Sequence, residues 1–336
     1  MRVFIRRLLY FLIPFYFIII SYFCFDPFKI LYDYDNFYLN TFCQLNRENI
    51  SLRIYNKFAK TNNYNSFVFG SSRTLAFKTN DWGHCTNSTN FHPFVFDASN
   101  ESIEGITSKI EYLHRNGSTI KYALIIICSD VTFSKDVSHK KEHWYIKHPL
   151  LSNNSKVEYY FTFFKTYLQN GFFIKYIDYK IFKKEREYML NYLDFRQTHN
   201  DSFTNDLFID DQELNIKNDS LDYFERHKNN FYKRPEQESL CHEQIDINNI
   251  QQLKKIKDIF NQQQTYYKII ISPLYDQKKL NPIDLQKLKD IFGKENVFDY
   301  SGKNEITENK YNYFESSHYR YRVWQKIMQD IYSMIK

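Results

Sequence analysis

The chain has 336 residues, 43% of them hydrophobic and 19% aromatic, with a formal charge of +6. That is ample apolar material for one large α/β domain with additions, or for two small domains. Lysines and arginines are dispersed among aspartates and glutamates rather than gathered into a patch, which argues against a nucleic-acid-binding protein.

The N-terminus carries the clearest physical signal. Arg2, Arg6 and Arg7 precede an uncharged run of 18 residues, Leu8 to Phe25, ended by Asp26. At about 1.5 Å per residue this run spans roughly 27 Å, enough to cross a bilayer. The basic flank predicts a cytoplasmic N-terminus and a C-terminal bulk outside the cytoplasm. A cleaved signal peptide is the competing reading. The run is long for one, and "SYFCFDP" offers no A-x-A-like cleavage pattern. Residues 1–25 are therefore expected to form an uncleaved signal-anchor, and 26–64 a juxtamembrane connector with some amphipathic helix.

From residue 65 to 336 the pattern becomes α/β. Short apolar runs at 66–70, 93–99, 122–130, 266–273 and 296–302 read as parallel strands buried on both faces, because their apolarity is continuous rather than alternating. Helical spacing appears between them. Ile103, Ile106, Ile110 and Leu113 share one helix face; similar segments start near 247 and 282, and an amphipathic helix closes the chain. Five strands alternating with helices predict a three-layer, doubly wound sheet. The polar, aromatic stretch from about 134 to 246 interrupts this order and reads as a mainly helical insertion or lid, with "KVEYYFTFFKTYLQNGFF" as one helical segment.

The five cysteines, Cys24, Cys43, Cys85, Cys128 and Cys241, contain no CxxC pair, so neither a zinc ribbon nor a thioredoxin-like site is expected. Cys24 and Cys128 read as buried small apolar residues. Cys43, Cys85 and Cys241 leave room for one disulfide, with the pair open. His139, His143 and His148 lack convincing metal-ligand spacing, so no metal and no cofactor is predicted.

Chemistry is expected where strands end, because doubly wound sheets bind ligands beyond their carboxyl edges. Gly70, Ser71 and Ser72 lie just past the first strand, and a serine at such a turn can present its oxygen to the crevice. A serine needs a base held by a third group. "FESSHY" supplies Glu315 and His318, three residues apart and before the last helix. Arg73 reads either as a holder of an anionic substrate group or as the structural partner of a nearby acid.

An early strand-"GSSR" and a late "ESSHY" before a C-terminal helix resemble the SGNH/GDSL hydrolase family. They are most similar to its membrane-anchored branches, the alginate O-acetyltransferase group and the teichoic acid D-alanylation protein. The resemblance implies a flavodoxin-like fold, Ser72 as nucleophile, His318 as base and Glu315 in place of the usual Asp. It also implies oxyanion donors after the second and third strands, where this chain has Ser99 or Asn100 and then Asp130. The implied function is a membrane-anchored esterase or O-acyltransferase acting on acyl groups of a cell-envelope polysaccharide, with a membrane-bound acyltransferase as a partner. The alternative is a catalytically silent SGNH-like domain that binds glycan or scaffolds a membrane complex.

Overall fold

The computed structural model describes residues 1–86, 88–134, 142–196 and 198–333. Helix α1 (Arg2–Phe25) is followed by α2 (Arg47–Asn62), β1 (Ser66–Gly70), a 3-10 turn (Ser72–Ala76), α3 (Thr79–Thr86), β2 (Pro93–Val95), α4 (Ile103–Arg115) and β3 (Tyr122–Ile127). The middle of the chain contributes α5 (Lys156–Leu168), α6 (Phe172–Phe182), the small hairpin of β4 (Thr198–Asn200) and β5 (Leu207–Ile209), α7 (Asp210–Asn218) and α8 (Ser220–Arg226). The last third runs α9 (Ile247–Gln262), β6 (Tyr266–Ile271), α10 (Pro282–Phe292), β7 (Val297–Asp299), α11 (Glu305–Glu308), β8 (Tyr313–Glu315), β9 (His318–Tyr319) and α12 (Tyr321–Ser333).

Five strands form one all-parallel sheet in the order β2-β1-β3-β6-β7. This is the strand order of flavodoxin-like doubly wound sheets. Side chains alternate between two packed layers, as strand geometry requires. Phe67, Phe69, Ile125, Ile127, Ile269 and Ile271 face a core shared with α2, α4, α9 and α10. Val68, Leu124, Ile126 and Ile270 face the opposite core, filled by Trp82 of α3 and by Val323, Trp324, Ile327 and Ile331 of α12.

Local chemistry explains most helix starts. Ser102 accepts from the Gly105 amide at the head of α4, and Asp246 accepts from Asn248 and Asn249 at the head of α9. Asn281 caps α10 with Pro282 in its first turn. The segment 156–173 is not one helix. Asn170 (φ 53°) and Gly171 (φ 66°) take left-handed conformations and split it into α5 and α6.

Residues 26–64 carry α2, whose Ile50, Leu52, Ile54 and Tyr55 are part of the sheet-covering core. Tyr55 stacks on Phe96 at 5.5 Å.

Helix α1 has 24 residues and a mean hydropathy of 2.2 over its most apolar window, long and apolar enough to cross a membrane. Cys24 is exposed on it, rather than buried. All five cysteines are free, so none of Cys43, Cys85 and Cys241 forms a disulfide. The last turn of α1 is fixed to the globular body. Ser21 Oγ and Tyr167 OH share a hydrogen bond of 2.9 Å, and the Tyr22 ring packs on Phe164 and Tyr167. Buried Asp26 accepts the Ile30, Leu31 and Tyr32 amides and the Tyr34 hydroxyl.

Candidate active site

The strand order reverses between β1 and β3, so the crevice beyond their carboxyl ends is the topological switch point. Gly70 closes β1 with φ 155°. A Cβ there would sit 2.9 Å from both the Cβ and the carbonyl oxygen of Ile126 on β3, and 3.0 Å from Thr74 Cγ2. Glycine is required because the end of β1 lies too close to β3 and to Thr74 to leave room for a Cβ.

The two serines after it diverge. Ser71 is buried and its hydroxyl lies 3.3 Å from Cys128 Sγ. Ser72 opens the 3-10 turn, and its Oγ lies 2.8 Å from His318 Nε2. His318 Nδ1 is hydrogen-bonded to Glu315 Oε1. An ionised carboxylate only accepts, so Nδ1–H donates to Glu315 and Nε2 is left to accept from the serine hydroxyl. The structure thus brings Ser72, His318 and Glu315 into one chain of contacts across nearly the whole sequence.

Glu315 and His318 sit opposite each other in the β8–β9 hairpin, joined by Ser316 and Ser317, rather than on a helical turn. The hairpin is anchored by Tyr313 OH, which donates to Pro273 O at 2.9 Å, and by the buried Tyr319. The second Glu315 oxygen accepts the Ser317 amide at 2.5 Å. Burial pushes the Glu315 carboxyl up, but the hydrogen bond and charge of His318, the Ser317 amide and Arg73 outweigh it and hold it below the usual range.

Arg73 and Asp130 are partners of each other. The guanidinium forks onto the Asp130 carboxylate at 3.1 Å and 2.7 Å, and its Nε donates to the Ser317 carbonyl at 2.9 Å. Arg73 therefore ties the loop after β1 to the loop after β3 and to the hairpin that carries His318. Ser99 and Asn100 follow β2 and border the same cavity as Ser72 and His318, about 450 Å³ in volume. Asn100 has φ 50°, a left-handed conformation that asparagine tolerates better than other residues with a Cβ.

A second set of groups, with no signal in local sequence, braces the Ser72–Ala76 turn from below. Asp97 is fully buried. It accepts Arg47 Nε at 2.9 Å, Thr74 Oγ1 at 2.9 Å and Ser51 Oγ at 3.1 Å. Arg47 also donates to the side chain of Asn205 at 2.9 Å and to its carbonyl at 2.6 Å. A buried ion pair is tolerable only when its remaining donors and acceptors are satisfied, and this one is. It joins α2, the end of β2, the Ser72–Ala76 turn and the β4–β5 loop.

A larger groove of about 1170 Å³ lies between α5 and the segment 190–196, beside the cavity that Ser72 and His318 border. The two share Cys43, Gln44, Trp144, Asp194 and Arg196. Among the described residues no His, Cys, Asp and Glu cluster has metal-binding geometry. His139 lies outside them. His143 packs against Phe28 and Phe163, and His148 against Tyr159.

The chain matches no protein-family model and no curated protein.

Proposed function

We propose that the protein is a membrane-anchored, extracytoplasmic SGNH-like serine esterase or O-acyltransferase that handles acyl groups of a cell-envelope polysaccharide. The observation that carries the reading is the contact of 2.8 Å between Ser72 Oγ and His318 Nε2, with Glu315 on the far ring nitrogen. This is hydrogen-bond reach for general-base catalysis.

In this reading Ser72 Oγ attacks the carbonyl carbon of an ester as its proton passes to His318 Nε2. The tetrahedral intermediate collapses when His318 returns that proton to the leaving alkoxide, and the acyl group stays on Ser72. Water or a sugar hydroxyl then attacks the acyl carbon with His318 again as base, and His318 returns that proton to Ser72 Oγ as the bond from Ser72 to the acyl group breaks. Glu315 remains ionised and stabilises the transient imidazolium. The oxyanion faces the rim formed by the Ser72 turn and the Ser99–Asn100 loop. Arg73 and Asp130 position the hairpin rather than touch the acyl group. The apolar α1 favours anchorage, and the arginines at its start favour a body outside the cytoplasm.

One observation favours a second reading, an inactive glycan-binding or scaffolding domain. Asp130 stands where the family offers a neutral donor, and it is occupied by Arg73. A fluorophosphonate probe separates the two. The full chain in detergent should be labelled and should turn over p-nitrophenyl acetate, and Ser72→Ala should abolish both. A wild-type protein that shows neither overturns the enzyme.

A further inference from the structure

We propose that the α5–α6 hairpin is a second membrane contact, lying in the headgroup region of an anionic bilayer beside α1. This goes beyond the proposed chemistry and rests only on α1 as a bilayer span.

The first argument is depth. Ile18 and Tyr22 of α1 pack against the globular core, Ser21 bonds Tyr167 near the end of α5, and the Phe25 ring lies 6.2 Å from Tyr176 of α6. Ile18 to Phe25 covers about 10 Å of helix. Whatever touches that stretch sits at the level where a spanning α1 leaves the hydrocarbon.

The second argument is the surface these helices turn outward. Tyr160 and Leu168 of α5 are exposed, as are Ile174, Ile181 and Phe182 of α6, the last three at 58%, 65% and 63%. Exposed aliphatic side chains on adjoining helices mark an interaction surface when they are not scattered. Aromatic and aliphatic groups around a helix exit are what a bilayer interface accommodates.

The third argument is charge. Lys175, Lys180, Lys183 and Lys184 stand among these residues. Among the described residues Lys180 and Lys183 make no ion pair; their ammonium groups lie over the Phe42 ring at 5.3 Å and 5.5 Å. Lysines with apolar stems and no carboxylate partner suit a surface of lipid phosphates. A water-facing helix of this domain lacks the combination: Leu221 of α8 is exposed, but Asp222 and Glu225 already engage Arg226 and Lys228.

The test keeps the full chain in nanodiscs of phosphatidylcholine with phosphatidylglycerol. A benzophenone amino acid replaces Ile174, Ile181, Phe11, Leu221 or Ile283, one at a time, and lipid adducts are read by mass. Adducts are expected at Phe11, Ile174 and Ile181 and absent at Leu221 and Ile283. The double variant Lys180→Glu/Lys183→Glu should lower the yield at Ile174 about threefold or more with phosphatidylglycerol present, and little in phosphatidylcholine alone. Adducts at Phe11 without adducts at Ile174 and Ile181 overturn the inference, as do equal yields at Leu221 or capture of a protein in place of lipid. No adduct at Phe11 removes the span on which it rests. Ser72→Ala should leave every yield unchanged, so an inactive catalytic site would not imitate a failure.

Discussion

Replacing Glu315 with glutamine tests the triad more sharply than removing it. Two donors converge on this carboxylate: the His318 Nδ1–H and the Ser317 amide. A glutamine offers one acceptor oxygen and turns an NH2 toward the other donor. Either the imidazole moves its proton to Nε2, where it can no longer accept from Ser72, or the turn amide loses its partner. The electrostatic loss adds to this. Two unit charges about 4 Å apart interact by about 4 kcal/mol at an effective dielectric of 20. His318 and Glu315 side chains are 33% and 27% exposed, so about 2–3 kcal/mol is a fair share after screening. That corresponds to a fall in kcat/KM of about 30- to 150-fold. Folding stability should change by only about 1 kcal/mol, one hydrogen bond at a half-buried position. The measurement is p-nitrophenyl acetate hydrolysis beside a thermal melt of the same sample. A loss smaller than about threefold with an unchanged melt would refute the assignment of Glu315 to the imidazole.

Arg73→Lys keeps a charge but loses the fork on Asp130 and the Nε–H that holds Ser317 O; kcat/KM should fall about tenfold or more with KM moving less, and unchanged kinetics would remove the positioning role. Gly70→Ala should cost about 2–4 kcal/mol in denaturant unfolding, since the new methyl meets the backbone and Cβ of Ile126 at 2.9 Å in a conformation that also strains it; a cost under about 1 kcal/mol would contradict the close approach. Burial pushes both His143 and His148 down to about 4. Between the ordinary histidine value and about 4 the unfolded chain binds the protons that the folded one refuses, so stability present near pH 7 should drain away as pH falls through this window. The double variant His143→Gln/His148→Gln should flatten the fall in melting temperature, and an equally steep profile would assign it to other groups.

The sheet was legible in the sequence because parallel strands, covered on both faces, announce themselves as unbroken apolar runs. Their ends were not. The run 93–99 pairs as a strand only at Pro93–Val95, although Phe96 and Ala98 still donate to Val68 and Gly70 of β1. An edge strand has one neighbour, and the chain leaves it gradually. Ser72, Glu315 and His318 stood in short local patterns at predicted element ends, so their neighbourhoods could be read even though the hairpin beneath Glu315 and His318 could not. Arg47, Asp97 and Asn205 carried no such pattern. Arg47 reaches its partners across 50 residues to Asp97 and 158 to Asn205, and periodicity says nothing about contacts of that range. Arg73 reads in the sequence as a substrate holder or as the partner of a nearby acid, and local pattern cannot choose between them because its two partners, Asp130 and the Ser317 carbonyl, come from distant loops.

The buried carboxylate of Asp26 has a mechanical consequence. By gathering three amides and a tyrosine hydroxyl at the last turn of α1, it leaves no loose cord between that helix and the domain. A domain on a slack cord samples a range of heights and tilts; one clamped at the root turns chiefly about the axis of its own mast. With α1 across a bilayer, the crevice around Ser72 keeps one height relative to the lipid plane.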